Sequence, residues 1–118
     1  MGVLYNANYL RLFEMGRTEL LRKSGLSYDE FEKMGFILPV ARARIEFKKP
    51  VKYDEPVDII TSVKTHDRIK ITFDYEIRNS EFLLAAGETV HTTLNRDGKL
   101  IEVPEFLVRI LEGERFHK

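Results

Sequence analysis

Cysteine, tryptophan and glutamine are all missing from this 118-residue chain. Without cysteine there is no disulfide, no thiolate nucleophile and no zinc–sulfur site. Net charge is missing too: 19 Lys and Arg balance 19 Asp and Glu. No basic field therefore exists to hold a nucleic acid or an anionic membrane. Three scattered histidines, His66, His91 and His117, do not make a His-rich metal site. No apolar run approaches the ~18 residues of a membrane span. The first residues lack the basic start and small-residue cleavage site of a signal peptide. A myristoylation start wants Ser or Thr at position 6, where Asn6 stands. The expectation is a cytoplasmic protein with no membrane span and no nucleic-acid partner.

Charge of both signs is present in excess, at 32% of residues, against the usual quarter. With few thermolabile amides, that bias fits a thermophile. The length makes one domain, 1–118.

Periodicity divides the chain into helices followed by strands. Tyr9, Phe13, Gly16 and Leu20 recur at helical spacing, with Leu10, Arg17 and Leu21 beside them, so a helix is expected from about Ala7 to Lys23. Gly16 lies on the inward stripe and costs about 1 kcal/mol of helix propensity, which close approach to a sheet or helix would offset. Arg22 and Lys23 suit the negative end of the helix dipole, and Gly25 supplies a left-handed stop. Ser27 to Glu30 is a capping box for a short second helix ended by Gly35.

From there the period becomes two. Val40–Phe47 alternates, Val57–Thr65 does so less strictly, and Arg68–Arg78 is the cleanest strand, with Ile69, Ile71, Phe73, Tyr75 and Ile77 on one face. A charged loop around Tyr53 separates the first two. Phe82–Leu94 reads as one long return strand, Asn95–Gly98 as a hairpin turn into Leu100–Val103, and Glu105–Leu111 as a terminal helix with a fraying tail. The fold class is α+β, with one long helix wrapped by about five antiparallel strands. Open sheet edges on so small a domain favour pairing with a second copy.

Two stretches carry a family resemblance. Gly2-Val-Leu-Tyr-Asn-Ala-Asn-Tyr9, continuing through Leu10-Arg-Leu-Phe-Glu14 and Arg17-Thr-Glu19, resembles the opening of the hotdog-fold acyl-CoA thioesterases. The similarity is to the 4-hydroxybenzoyl-CoA thioesterase-like branch, which includes the Tol-Pal-associated thioesterases. Ile45 to Asp58, with its Tyr53-Asp54 pair, and Ile71-Thr-Phe-Asp-Tyr-Glu-Ile77 resemble later strands of that family. The resemblance implies a hotdog fold, a homodimer or homotetramer with sites between subunits, and an acyl-CoA substrate of which coenzyme A is a part, with no cofactor.

It also implies a site. The thioester carbonyl would be polarised by the backbone N–H of Asn6, with Tyr5 and Tyr9 beside it and Gly2 near the substrate. A donor at a helix N-terminus carries partial positive charge. The family's catalytic aspartate falls three residues ahead of Gly2, so the expectation is a chain that starts after the family's first strand and its acid. Glu14, two helical turns after Asn6, is the best surrogate carboxylate by spacing, and Glu19 a weaker one. The competing reading of Glu14 is a salt bridge with Arg11 or Arg17. For the CoA phosphates, Thr65, Arg68 and Lys70, with Lys64, are the candidate binders. Arg42 and Arg44 read as solvent or dimer contacts, and His91 as a packed or exposed strand residue rather than a catalyst. No metal is expected. The alternative to hydrolysis is an acyl-CoA or acyl-carrier binding protein without the acid, and a further one a purely structural dimer.

Overall fold

The computed structural model describes residues 6–50 and 55–116. The elements run α1 (Asn6–Lys23), α2 (Tyr28–Lys33), β1 (Val40–Phe47), β2 (Asp58–His66), β3 (Ile71–Arg78), β4 (Leu83–His91), β5 (Thr93–Leu94), β6 (Leu100–Ile101) and α3 (Glu105–Phe116). Four strands form an antiparallel sheet in the order β1-β4-β3-β2, and β5 and β6 form a separate hairpin. The loop around Tyr53 lies outside the described residues.

The helices start and stop for local reasons. Leu26 N–H reaches back to Leu21 O across Gly25, whose φ of 102° only glycine adopts at low cost. Ser27 caps α2 by accepting from Glu30 N–H at 3.0 Å. α3 continues through Gly113 to Phe116, so it is longer than the helix to Leu111 that periodicity suggests.

Strict alternation in β3 makes it the floor of the core. Ile71, Phe73, Tyr75 and Ile77 are buried on the inner face, while Thr72, Asp74, Glu76 and Arg78 point outward. Burying each of the aliphatic and Phe side chains contributes on the order of 1.5–3 kcal/mol. The other strands add Val63 from β2 and Leu84 and Ala85 from β4. α1 lies on this face over β2 and β3 and buries Tyr9, Phe13, Leu20 and Leu21. Leu10, expected beside that stripe, is instead exposed. α3 and α2 close one end of the core through Phe31, Phe36 and Phe106.

Two glycines let the helix sit this low. A Cβ at Gly16 would collide with Thr61 Oγ1 and stand 2.8 Å from Ile59 Cγ2, so the expected close approach is to the sheet. A Cβ at Gly87 would stand 2.6 Å from both Arg44 O and Phe13 Cε2. Both distances are well inside van der Waals contact, so the packing requires glycine at each place.

The strand boundaries correct two expectations. β3 begins at Ile71, not Arg68, because Asp67 Oδ1 accepts from Ile69 N–H (2.8 Å) and Lys70 N–H (2.7 Å) and turns the chain there. The long return strand breaks at Thr92, where the backbone N–H leaves the ladder for Pro39 O at 3.4 Å and Leu94 pairs with Ile37.

β1 is the unusual element. It pairs only with β4 among the described residues, and seven of its eight residues are exposed, Ile45 being half-buried. Its inner-face positions Ala43 and Phe47 are as open as its outer-face Arg42, Arg44 and Glu46.

Candidate active site

The described part of α1 begins at Asn6, with no acidic residue in its first turn. N–H groups at the start of a helix have no intrahelical acceptor and form the positive end of its dipole. Tyr9, one turn on, is buried, its ring edge-on to Phe47 at 5.0 Å and 81°. Burial pushes its hydroxyl pKa upward, so it serves this end of the helix as a neutral wall. Gly2 and Tyr5 lie outside the described residues, as does the side chain of Asn6. The helix start therefore sits at the end of the sheet where Phe47, Ala85 and Ile77 stand in register.

Glu14 is not gathered to that point within the chain. It is exposed and lies eight residues along α1 from Asn6, about 12 Å at helical rise. Arg17, one of its expected partners, donates instead to Tyr75 Oη at 3.0 Å. Glu19 pairs with Arg22 at 2.6 Å on the exposed surface, which holds its carboxyl below the usual range through that hydrogen bond.

The candidate phosphate binders lie at the other end of the sheet. From Ile77 to Ile71 is six residues of extended strand, roughly 20 Å. Arg68 Nε donates to Glu102 Oε1 at 2.6 Å, and Arg68 O accepts from Val103 N–H at 2.8 Å, so this arginine ties the β2–β3 turn to the segment before α3. Lys70 is exposed at that turn, and Thr65 is exposed on β2 opposite Thr72. Lys64 reaches Glu88 at 3.1 Å on the outer face, where Arg44 meets the same carboxylate at 3.1 Å. These two hydrogen bonds hold Glu88 ionised below its usual range. One chain alone thus separates the helix start from Thr65, Arg68 and Lys70.

A groove of about 510 Å³ runs between α1 and β2, lined by Met15, Gly16, Leu20, Ile59 and Thr61, with Glu19 and Lys23 at its rim. Thr61 Oγ1 is buried beside it without a hydrogen-bond partner.

Sequence reasoning did not find the connected polar group in the core. Tyr75 Oη lies 2.6 Å from Thr89 Oγ1, which lies 2.8 Å from His91 Nε2, and His91 Nδ1 lies 3.1 Å from Leu38 O. His91, read as a packed or exposed strand residue, is fully buried. Burial, reinforced by Arg17, lowers its pKa from 6.5 to about 4, so it is neutral at pH 7. Thr89 and His91 share the inner face with Gly87 at alternate positions of β4, a pattern that single-residue inspection does not mark as a unit.

α1 thus lies across the inner face of a small antiparallel sheet, with Tyr9 beside Phe47 at one end of that sheet. Residues 1–111 match the family model described as the Thioesterase-like superfamily. The chain belongs to that superfamily, and its fold is the hotdog fold. A Bacillus subtilis (strain 168) protein provisionally named acyl-CoA thioesterase YneP is 38% identical over 79 residues, 67% of this chain and 57% of the relative. The acyl-CoA thioester hydrolase YbgC of Escherichia coli O157:H7 is 29% identical over 82 residues, 68% of this chain and 60% of the relative. The chain thus spans under two thirds of these two relatives. The crystal structure of a DHNA-CoA thioesterase from Staphylococcus aureus superposes with a TM-score of 0.86 at 33% identity, covering 95% of this chain and 76% of that one.

Proposed function

We propose that the protein hydrolyses the thioester bond of a small or medium acyl-CoA, giving the free acid and coenzyme A. The observation that carries this reading is α1 laid on the inner face of the sheet, its described start at Asn6 lying toward Phe47, in a member of a thioesterase superfamily. A carbonyl oxygen placed there meets backbone N–H groups at the positive helix end. One aligned donor on the developing oxyanion is worth roughly 3–4 kcal/mol. Asn6 supplies the donor, with Tyr5, Tyr9 and Gly2 around the reacting group. A carboxylate activates the attacking water, and Glu14 is the candidate within this sequence. The thioester is already activated, so the chemistry needs no resident cofactor.

The working unit in this reading is a homodimer built on β1. Among the described residues that strand has an unpaired edge and an uncovered inner face, the two features that a second copy would satisfy. Two-fold antiparallel pairing of β1 with β1 sets the Phe47 end of one copy beside the Val40 end of the other. The helix start of one copy then shares an end of the continuous sheet with Thr65, Arg68 and Lys70 of the other. Those residues are where the nucleotide end of the substrate would lie.

The second reading is an acyl-CoA or acyl-carrier binding protein without turnover. It is favoured by the first turn of α1 carrying no carboxylate and by the exposure of Glu14. Thiol release from a panel of short, medium and aromatic acyl-CoAs separates the two. Because the chain has no cysteine, a thiol reagent reports only coenzyme A. Turnover supports the hydrolase; saturable binding with no thiol release supports the binder.

A further inference from the structure

The polar chain through the core has one possible direction. Arg17 carries only donors, so Tyr75 Oη accepts from it at 3.0 Å. The Tyr75 proton is then left for Thr89 Oγ1 at 2.6 Å, and the Thr89 proton for His91 Nε2 at 2.8 Å. At the far end Leu38 O can only accept, which requires the proton on His91 Nδ1, 3.1 Å away. Both ends force the same assignment. Tyr75, Thr89 and His91 are each no more than 1% exposed, so water cannot substitute for a missing link.

Tyr75 makes a second contact with the helix. The Phe13 ring lies on the Tyr75 ring, with centroids 4.3 Å apart and planes 9° apart. Phe13 and Arg17 are four residues apart and lie on one face of α1. One residue of the sheet therefore grips α1 by a stack and by a directed hydrogen bond. The apolar contacts of Tyr9, Leu20 and Leu21 hold the helix down but are non-directional and would let it roll or slide. The hydrogen bond fixes its setting.

We propose that Tyr75 is a positioning residue: by gripping Phe13 and Arg17 it sets α1, and with it the direction in which the N–H groups near Asn6 point. The catalytic consequence rests on the thioesterase reading; the grip itself does not.

The test compares Tyr75→Phe, which keeps the ring and loses the hydroxyl, with Arg17→Met, Arg17→Lys and the double change Tyr75→Phe/Arg17→Met. On the acyl-CoA that the wild type hydrolyses best, each of Tyr75→Phe and Arg17→Met is expected to lower kcat about tenfold with KM nearly unchanged, because a misaimed donor fails mainly in the transition state. The double variant is expected to be no worse than either single one, and Arg17→Lys to keep most of the rate. Amide exchange of the described part of α1 is expected to quicken in Tyr75→Phe while β3 and β4 are unchanged. A lower Tm with unchanged kcat would reduce Tyr75 to a structural role and overturn the proposal. If the wild type hydrolyses no thioester, the hydrolase reading falls separately. Amide exchange then decides the grip: faster exchange confined to α1 upholds it, and unchanged exchange overturns it.

Discussion

Phe13 lies flat on Tyr75 in the space that Gly87 leaves by having no side chain. A Cβ at Gly87 would stand 2.6 Å from Phe13 Cε2 on one side and 2.6 Å from Arg44 O on the other. Neither neighbour has room to retreat, one being a stacked ring and the other backbone of the paired strand β1. Gly87→Ala is therefore expected to destabilise the fold by about 2–3 kcal/mol, as overpacking of a filled core does. Urea unfolding of the variant against the wild type measures it.

At Gly16 two effects oppose. Alanine would gain about 1 kcal/mol of helix propensity, but its methyl would strike Thr61 and Ile59. The steric cost should win, with Gly16→Ala less stable by about 1–2 kcal/mol. Adding Thr61→Ala removes the struck hydroxyl and leaves the Thr61 Cβ at 3.5 Å, an ordinary contact. It should recover part of the loss, with the clash against Ile59 Cγ2 accounting for the remainder. Additive losses in thermal unfolding of the double variant would contradict the collision.

His91 makes stability pH-dependent with a definite sign. Its folded pKa, about 4, lies below its usual 6.5, so the unfolded chain binds the proton more readily. The stability this group contributes is fully present above pH 6.5 and is lost as pH falls through about 4, on the order of 3 kcal/mol over that window. Charging His91 would put a proton on Nε2, which faces the proton of Thr89, so the Thr89 hydroxyl would have to turn toward Tyr75, and the Tyr75 proton, with Arg17 able only to donate, would lose its acceptor. An NMR titration should show the His91 ring neutral, with its proton on Nδ1, down to near pH 4. A His91 midpoint near 6.5 would contradict the buried chain.

β1 offers a test of the dimer that spares the monomer. Ala43 is exposed on the inner face of an edge strand, so Ala43→Glu should leave a lone chain about as stable as before. If two copies join along β1, the same change buries a charge at the contact and shifts the protein to monomer in sedimentation velocity. Thiol release should then fall with the dimer. A wild type that sediments as a monomer would remove the basis for a shared site.

Much of the fold was legible because it rests on local rules. The alternation from Ile71 to Ile77 identified the inner face residue by residue, Ser27 and Glu30 marked a helix start, and Gly16 on an inward stripe announced close packing. The errors came where distant residues decide. The return strand breaks at Thr92 because Pro39 O takes the Thr92 N–H and Ile37 pairs with Leu94, and nothing near Thr92 signals that. Arg68 to Lys70 read as the start of a strand, yet Asp67 turns the chain there. An Asp two residues before the backbone it caps was a usable signal. The polar chain of Tyr75, Thr89 and His91 was hidden for a different reason. Alternation assigns apolar residues inward, and these polar ones are inward only because they satisfy each other.

The most direct test places a carbonyl at the helix start. A non-hydrolysable acyl-CoA ketone is titrated into isotope-labelled protein while the backbone amides of Asn6 to Tyr9 are followed by NMR. A carbonyl held by the first turn of α1 predicts a saturable downfield shift of the Asn6 amide proton, larger than at any residue of β3 or β4. Saturable binding with the Asn6 amide unmoved would contradict it.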